Sequence, residues 1–135
     1  MYNNIVVPIS FDEDRDAQAA LDVATLLRAE GGTLTLLHVI ETPPTYAVSY
    51  LPVDYLKERR GAIESELSFM ASKHAGATAA VVNGHSGRTI TDWCGERGAD
   101  CIVIASHRPG MQDLLLGSTA QYVVRHAACA VHVVR

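Results

Sequence analysis

Between Ser106 and Thr119 the chain reads SHRPGMQDLLLGST, and these residue types suit one task above others, the holding of an anion. Gly110 carries no Cβ and can approach an anion closely. Gly117, Ser118 and Thr119 open an expected helix, so free N–H groups and hydroxyls could surround a phosphate there. Arg108 could grip phosphate oxygens with two prongs, or form a salt bridge to Asp113 or to another chain. His107 could donate to a phosphate or serve only as a local hydrogen-bonding group. A Gly-Ser-Thr run is also how an ordinary helix cap looks. The residues alone leave both readings open.

Other chemistries find less support. The six histidines (38, 74, 85, 107, 126 and 132) include no i, i+4 pair and no cysteine at ligand spacing, so protein-held metal is not expected. The three cysteines, Cys94, Cys101 and Cys129, form no C-x-x-C pair and fit reduced thiols packed in the core. A net charge of −4 offers no basic field for nucleic acid or an anionic membrane. No apolar run approaches the roughly 20 residues that span a bilayer, and MYNNIVVPIS does not resemble a cleavable leader. A cytoplasmic location with no membrane insertion is the expectation. With 48% apolar and 19% charged residues among 135, one domain can bury a core unaided.

These candidates need elements to position them. Asn4–Ile9, Thr33–Ile40 and Asp100–Ala105 are continuous apolar runs of the kind that form strands buried on both faces. Ala77–Val82, rich in alanine, and Ala130–Val134 read as two more strands. Acidic Asp12–Asp16 suits a helix N-terminus, and from Ala17 to Leu27 the residues Ala20, Leu21, Ala24 and Leu27 share one face of that helix, which Gly31 and Gly32 are expected to stop. Further helices are expected over Asp54–His74, over Thr89–Arg97 with Ile90, Trp93 and Cys94 buried, and over Gly117–His126. Glu41–Tyr50, Gly84–Gly87 and Ser106–Leu116 read as connections.

Strands that alternate with helices pair in parallel through right-handed crossovers. Winding outward from the first strand in both directions gives an open α/β sheet of five parallel strands, order 3-2-1-4-5, with helices on both faces. Ligands bind such sheets at the strand carboxyl ends, where the winding direction reverses. That rule selects two connections: Ser10–Asp12 after the first strand, and Ser106–Gly110 after the fourth.

The blocks IVVPIS, LLHVI, GADCIVIASHRPG and LLLGSTAQYVVRHAACAVHVV, in that order, resemble the universal stress protein family over essentially the whole chain. The resemblance implies a single Rossmann-like domain that binds ATP, with any Mg²⁺ carried by the nucleotide. The family's ATP-binding members carry G-x2-G-x9-G-[ST]. Gly117 and Ser118 match its closing pair, while Ala105 stands at the first glycine and the loop is one residue shorter. Ser106, His107, Arg108 and Gly110 carry over as an SHRP variant of that loop. Ser10 replaces the family's usual Asp after the first strand, with Asp12 two positions on. Val39 matches the apolar residue against adenine, Pro8 and Ile9 shape the same wall, and Gly84 matches a turn glycine near the base.

Three functions are compatible with this reading. The first is a nucleotide-dependent regulator, acting on a protein partner that in a related branch is a TRAP-type transporter. The second is a weak ATP hydrolase, although the sequence has no Walker lysine motif and Asp113 is the only acid near the loop. The third is an interaction protein that no longer binds nucleotide, which the loss of the family's Asp at Ser10 would favour. The apolar last strand lies at an open sheet edge, and the resemblance implies that it pairs with its copy in a homodimer through Ala130–Val134.

Overall fold

Val6, Val7, Ile102 and Val103 are each at most 1% exposed, because both faces of their strands are covered. The computed structural model describes residues 1–11, 17–106 and 116–135; Asp12, His107, Arg108 and Gly110 lie outside them. Strands β1 (Tyr2–Pro8), β2 (Arg28–Ile40), β3 (Ala77–Asn83), β4 (Cys101–Ala105) and β5 (Ala130–Val134) form one sheet. Its order is β3-β2-β1-β4-β5 with every pairing parallel, as the alternation of elements requires. The helices are α1 (Ala17–Leu27), α2 (Thr45–Val48), α3 (Tyr55–Ser72), α4 (Ser86–Glu96) and α5 (Ser118–His126).

The period-two alternation of strand side chains divides the core in two. Ile5, Val7, Leu34, Leu36, Cys101 and Val103 pack on one side against Ala20, Leu21 and Ala24 of α1 and Leu67 and Ala71 of α3. Val6, Leu37, Ile102 and Ile104 pack on the other against Ile90 and Cys94 of α4 and Ala120 and Val123 of α5. A strand that feeds both layers must be apolar at every position, which accounts for the unbroken runs NIVVPI and CIVIA. Asp100 fastens the sheet centre: its carboxylate accepts from the N–H groups of Asn3 (2.8 Å) and Asn4 (2.9 Å), and its own N–H donates to Asn4 O (3.0 Å).

Four local features differ from the sequence expectation. Strand β2 begins at Arg28, ahead of the glycine pair, with an irregular register against β1 between Tyr2 and Asn4. A Cβ at Gly32 would lie 2.9–3.2 Å from three backbone oxygens, so this glycine permits strand approach more than it stops a helix. Arg28 bridges the irregularity, donating to Gly32 O (2.8 Å) and Ala75 O (2.6 Å). The expected connection over 41–50 contains α2, whose first turn is closed by N–H bonds from Ala47 and Val48 to Pro44 O. Helix α4 starts three residues early, taking in Ser86 and Gly87. Trp93 is only half-buried, and the Arg97 guanidinium covers its ring at 4.2 Å, supplying packing from outside.

Candidate functional site

All five strands run in parallel, so their carboxyl ends meet on one side of the sheet. A cavity of about 560 Å³ opens there, across β2, β1 and β4. This is the side, and the reversal of winding, that the 3-2-1-4-5 order selects. The volume falls within the range of roughly 300–1,000 Å³ usual for small-molecule sites.

The wall comes from the strand ends. Pro8, Ile9 and Ser10 close β1, Leu37, His38, Val39 and Ile40 close β2, and Ile104 and Ala105 close β4. The β1 end is held at two points: Ile9 N–H donates to Leu37 O (2.8 Å), and His38 Nδ1–H donates to Ile9 O (2.7 Å). Phe11 lies against the His38 ring with centroids 4.9 Å apart. His38 is thus a structural brace for the Pro8–Ser10 wall as well as part of the lining.

Two helices on the same face of the sheet aim their first turns into the cavity. Thr119, in the first turn of α5, is one of its lining residues. Gly117 is the N-cap, in extended conformation, so the helix-cap reading of Gly-Ser-Thr describes this helix start, and the cap makes no side-chain bond among the described residues. Gly117 and the exposed Ser118 stand beside the cavity without being in its lining. Ser86 and Ile90 of α4 line the opposite part. Ser86 Oγ donates to Glu41 Oε1 at 2.9 Å, across 45 residues of sequence. The two helices are close neighbours: a Cβ on buried Gly87 would lie 2.8–2.9 Å from Tyr122 Cβ, Cγ and Cδ1.

Ser106, at the end of β4, is 2% exposed, and its Oγ has no hydrogen-bond partner among the described residues. Its N–H donates to Val134 O (3.0 Å), which ties the base of this loop to β5. A buried hydroxyl without a partner is costly and calls for an acceptor or donor from elsewhere. Together with the volume and the first turn of α5, whose glycine cap brings no side chain, it fits a polar, anionic ligand seated at this end of the sheet.

Of the expected site residues, Pro8, Ile9, Ser10, Val39 and Thr119 are brought together as lining. Ser106 and Gly84 are not in the lining; Gly84 takes φ +151° and donates its N–H to Ile40 O (3.1 Å), fixing the β2 end from the side. A side chain there would collide with Thr89 Oγ1. The structure adds polar residues that sequence reasoning did not single out: Glu41, Thr42, Ser86 and Arg59 of α3. Arg59 makes no hydrogen bond or ion pair among the described residues, whereas its neighbour Arg60 is committed to Glu64, Asn83 and Val81 O. Among the described residues no group of three His, Cys, Asp or Glu side chains could hold a metal ion, and no helix is long and apolar enough to cross a membrane.

The sequence profile of the universal stress protein family matches residues 1–135. Universal stress protein G of Salmonella typhimurium is 30% identical over 143 aligned positions that cover the whole of both chains. Among solved structures, universal stress protein UspA from Lactobacillus plantarum superposes with a TM-score of 0.72 at 28% identity, covering 99% of this chain and 98% of its own. A universal stress protein in complex with cAMP (TM-score 0.71, 20% identity, 99% and 97% coverage) shares the fold. So does the Archaeoglobus fulgidus protein in complex with dAMP (0.67, 21%, 99% and 98%).

Proposed function

The chain belongs to the universal stress protein family, and on that footing we propose that it is a regulator that binds an adenine nucleotide, ATP foremost, in the cavity at the strand carboxyl ends. The observation that carries this reading is the buried Ser106 Oγ at the end of β4, without a partner among the described residues, together with the start of α5, whose Thr119 lines the cavity. One asks for a polar ligand atom and the other favours negative charge. Structures of relatives hold cAMP and dAMP, both adenine nucleotides, which supports the same ligand class. Any Mg²⁺ arrives with the phosphates, since ATP commonly carries its own metal.

Binding without turnover is part of the proposal. Phosphoryl transfer needs fixed cations on the transferred group and a residue that orients the nucleophile. Among the described residues the lining offers one unpaired guanidinium, Arg59, and one carboxylate, Glu41, which Ser86 already holds. The protein then acts through a partner, either a second copy joined along β5 or a further protein, of which a transporter is one case.

Thr119→Glu tests the site without threatening the fold. A carboxylate in the first turn of a helix favours that helix, yet it repels phosphate from the same place. In calorimetry on nucleotide-stripped protein, the wild type binds ATP, and the variant loses at least about tenfold in affinity, the scale of a charge-assisted hydrogen bond. A folded wild type that takes up no nucleotide would instead favour an interaction protein that has lost this function.

A further inference from the structure

Glu41 is placed by two constraints that are independent of any ligand. It stands two positions after Val39, one residue past the end of β2 at Ile40, and its side is given by its bond to Ser86. Val39 packs against the α4/α5 layer, and Glu41 reaches α4 of that layer through Ser86 Oγ. Val39 and Glu41 therefore adjoin on one wall of the cavity, and both line it. The hydroxyl bond occupies Oε1 and fixes the carboxylate plane, leaving Oε2 with no partner among the described residues.

We propose that Glu41, anchored by Ser86, is the group that selects the base, accepting a hydrogen bond on Oε2 from a single exocyclic amino group such as the 6-amino group of adenine. The inference rests on the nucleotide reading of the cavity and adds a specificity determinant to it. An ionised carboxylate only accepts, so it favours a ligand edge that donates and disfavours a carbonyl edge. With Oε1 engaged by Ser86, the carboxylate suits one amino donor better than two adjacent donors, which would need both oxygens side by side. Charge sets the direction of the ligand as well. The positive end of α5 draws phosphate toward Thr119, while Glu41 repels it from the β2 end. Arg59 is the other charged group of the described lining, and it moderates the field of Glu41 without occupying its oxygens.

The decisive pair of ligands is ATP and purine riboside 5′-triphosphate, which lacks only the 6-amino group. Calorimetry on stripped wild-type protein is expected to favour ATP by about tenfold, the scale of one hydrogen bond to a charged acceptor. In Glu41→Ala that preference falls to near unity while both triphosphates still bind. Glu41 is exposed, so this change leaves the core intact. Ser86→Ala releases the carboxylate and reduces the preference by part of that amount. Equal affinities in the wild type, or a preference unchanged in Glu41→Ala, overturns the assignment and leaves the nucleotide site standing. Failure of folded wild-type protein to bind either triphosphate overturns both.

Discussion

Burial pushes the thiol of Cys94 up to about 12 and that of Cys101 up to about 11. Desolvation is the larger cause in each, with the neighbouring Cys129 adding to it. Cys129 is raised for the same first reason, although its own N–H opposes the shift. Thiols held this high are poor nucleophiles at neutral pH and act as packing groups. The native state binds these protons more tightly than the unfolded chain, so the stability they contribute is complete below the ordinary thiol value of 9.0 and is lost as pH rises through about 11 and about 12. Denaturant titrations should give a lower midpoint at about pH 10.5 than at about pH 8, and a Cys94→Ala/Cys101→Ala variant should lose less over that interval. An equal loss in the variant would assign the effect to other groups. Site residues were legible in the sequence where one strand end or one loop carries several of them, as Pro8, Ile9 and Ser10 do. Glu41, Ser86 and Arg59 come from three separate elements, and their only local signal was the two-residue step from Val39 to Glu41.

Among the elements, β5 has the most to say about assembly. Among the described residues it pairs with β4 alone, so one edge of its backbone is left open by them. Val131 and Val133 turn inward to the α4/α5 core, while Ala130 and His132 are exposed. A short apolar edge strand invites pairing with an identical strand about a two-fold axis. Light scattering at tens of micromolar protein should therefore give the mass of a dimer, and a monomer would remove β5 as an interface. The end of α1 at Leu27 and both ends of β5 were readable to the residue. Those that escaped did so for tertiary reasons. Gly32 reads locally as a helix stop, but its lack of a side chain serves the approach of β1. Gly87 reads as a turn residue, yet it sits inside α4 because Tyr122 leaves no room for a Cβ.

At the scale of the whole molecule, the sheet separates two packed layers, and the cavity draws on both. Ala17 and Arg59 reach it from the α1/α3 side, Ile90 and Thr119 from the α4/α5 side. Its dimensions therefore depend on how each layer seats on the strands as well as on the lining side chains. The contact of Gly87 with Tyr122 sets the distance between the two helices that carry Ser86 and Thr119. Gly87→Ala should act as a wedge, costing about 1–3 kcal/mol as overpacked sites do, read as a lower denaturation midpoint. The same variant should bind nucleotide with altered affinity in calorimetry, and an affinity equal to that of the wild type would show that α4 and α5 move independently of the site. The spacing of two helices that line the cavity thus rests on a carbon atom that is missing from a position outside the lining. Relatives could retune what they admit by changing that one spacer, with every residue facing the ligand left as it was.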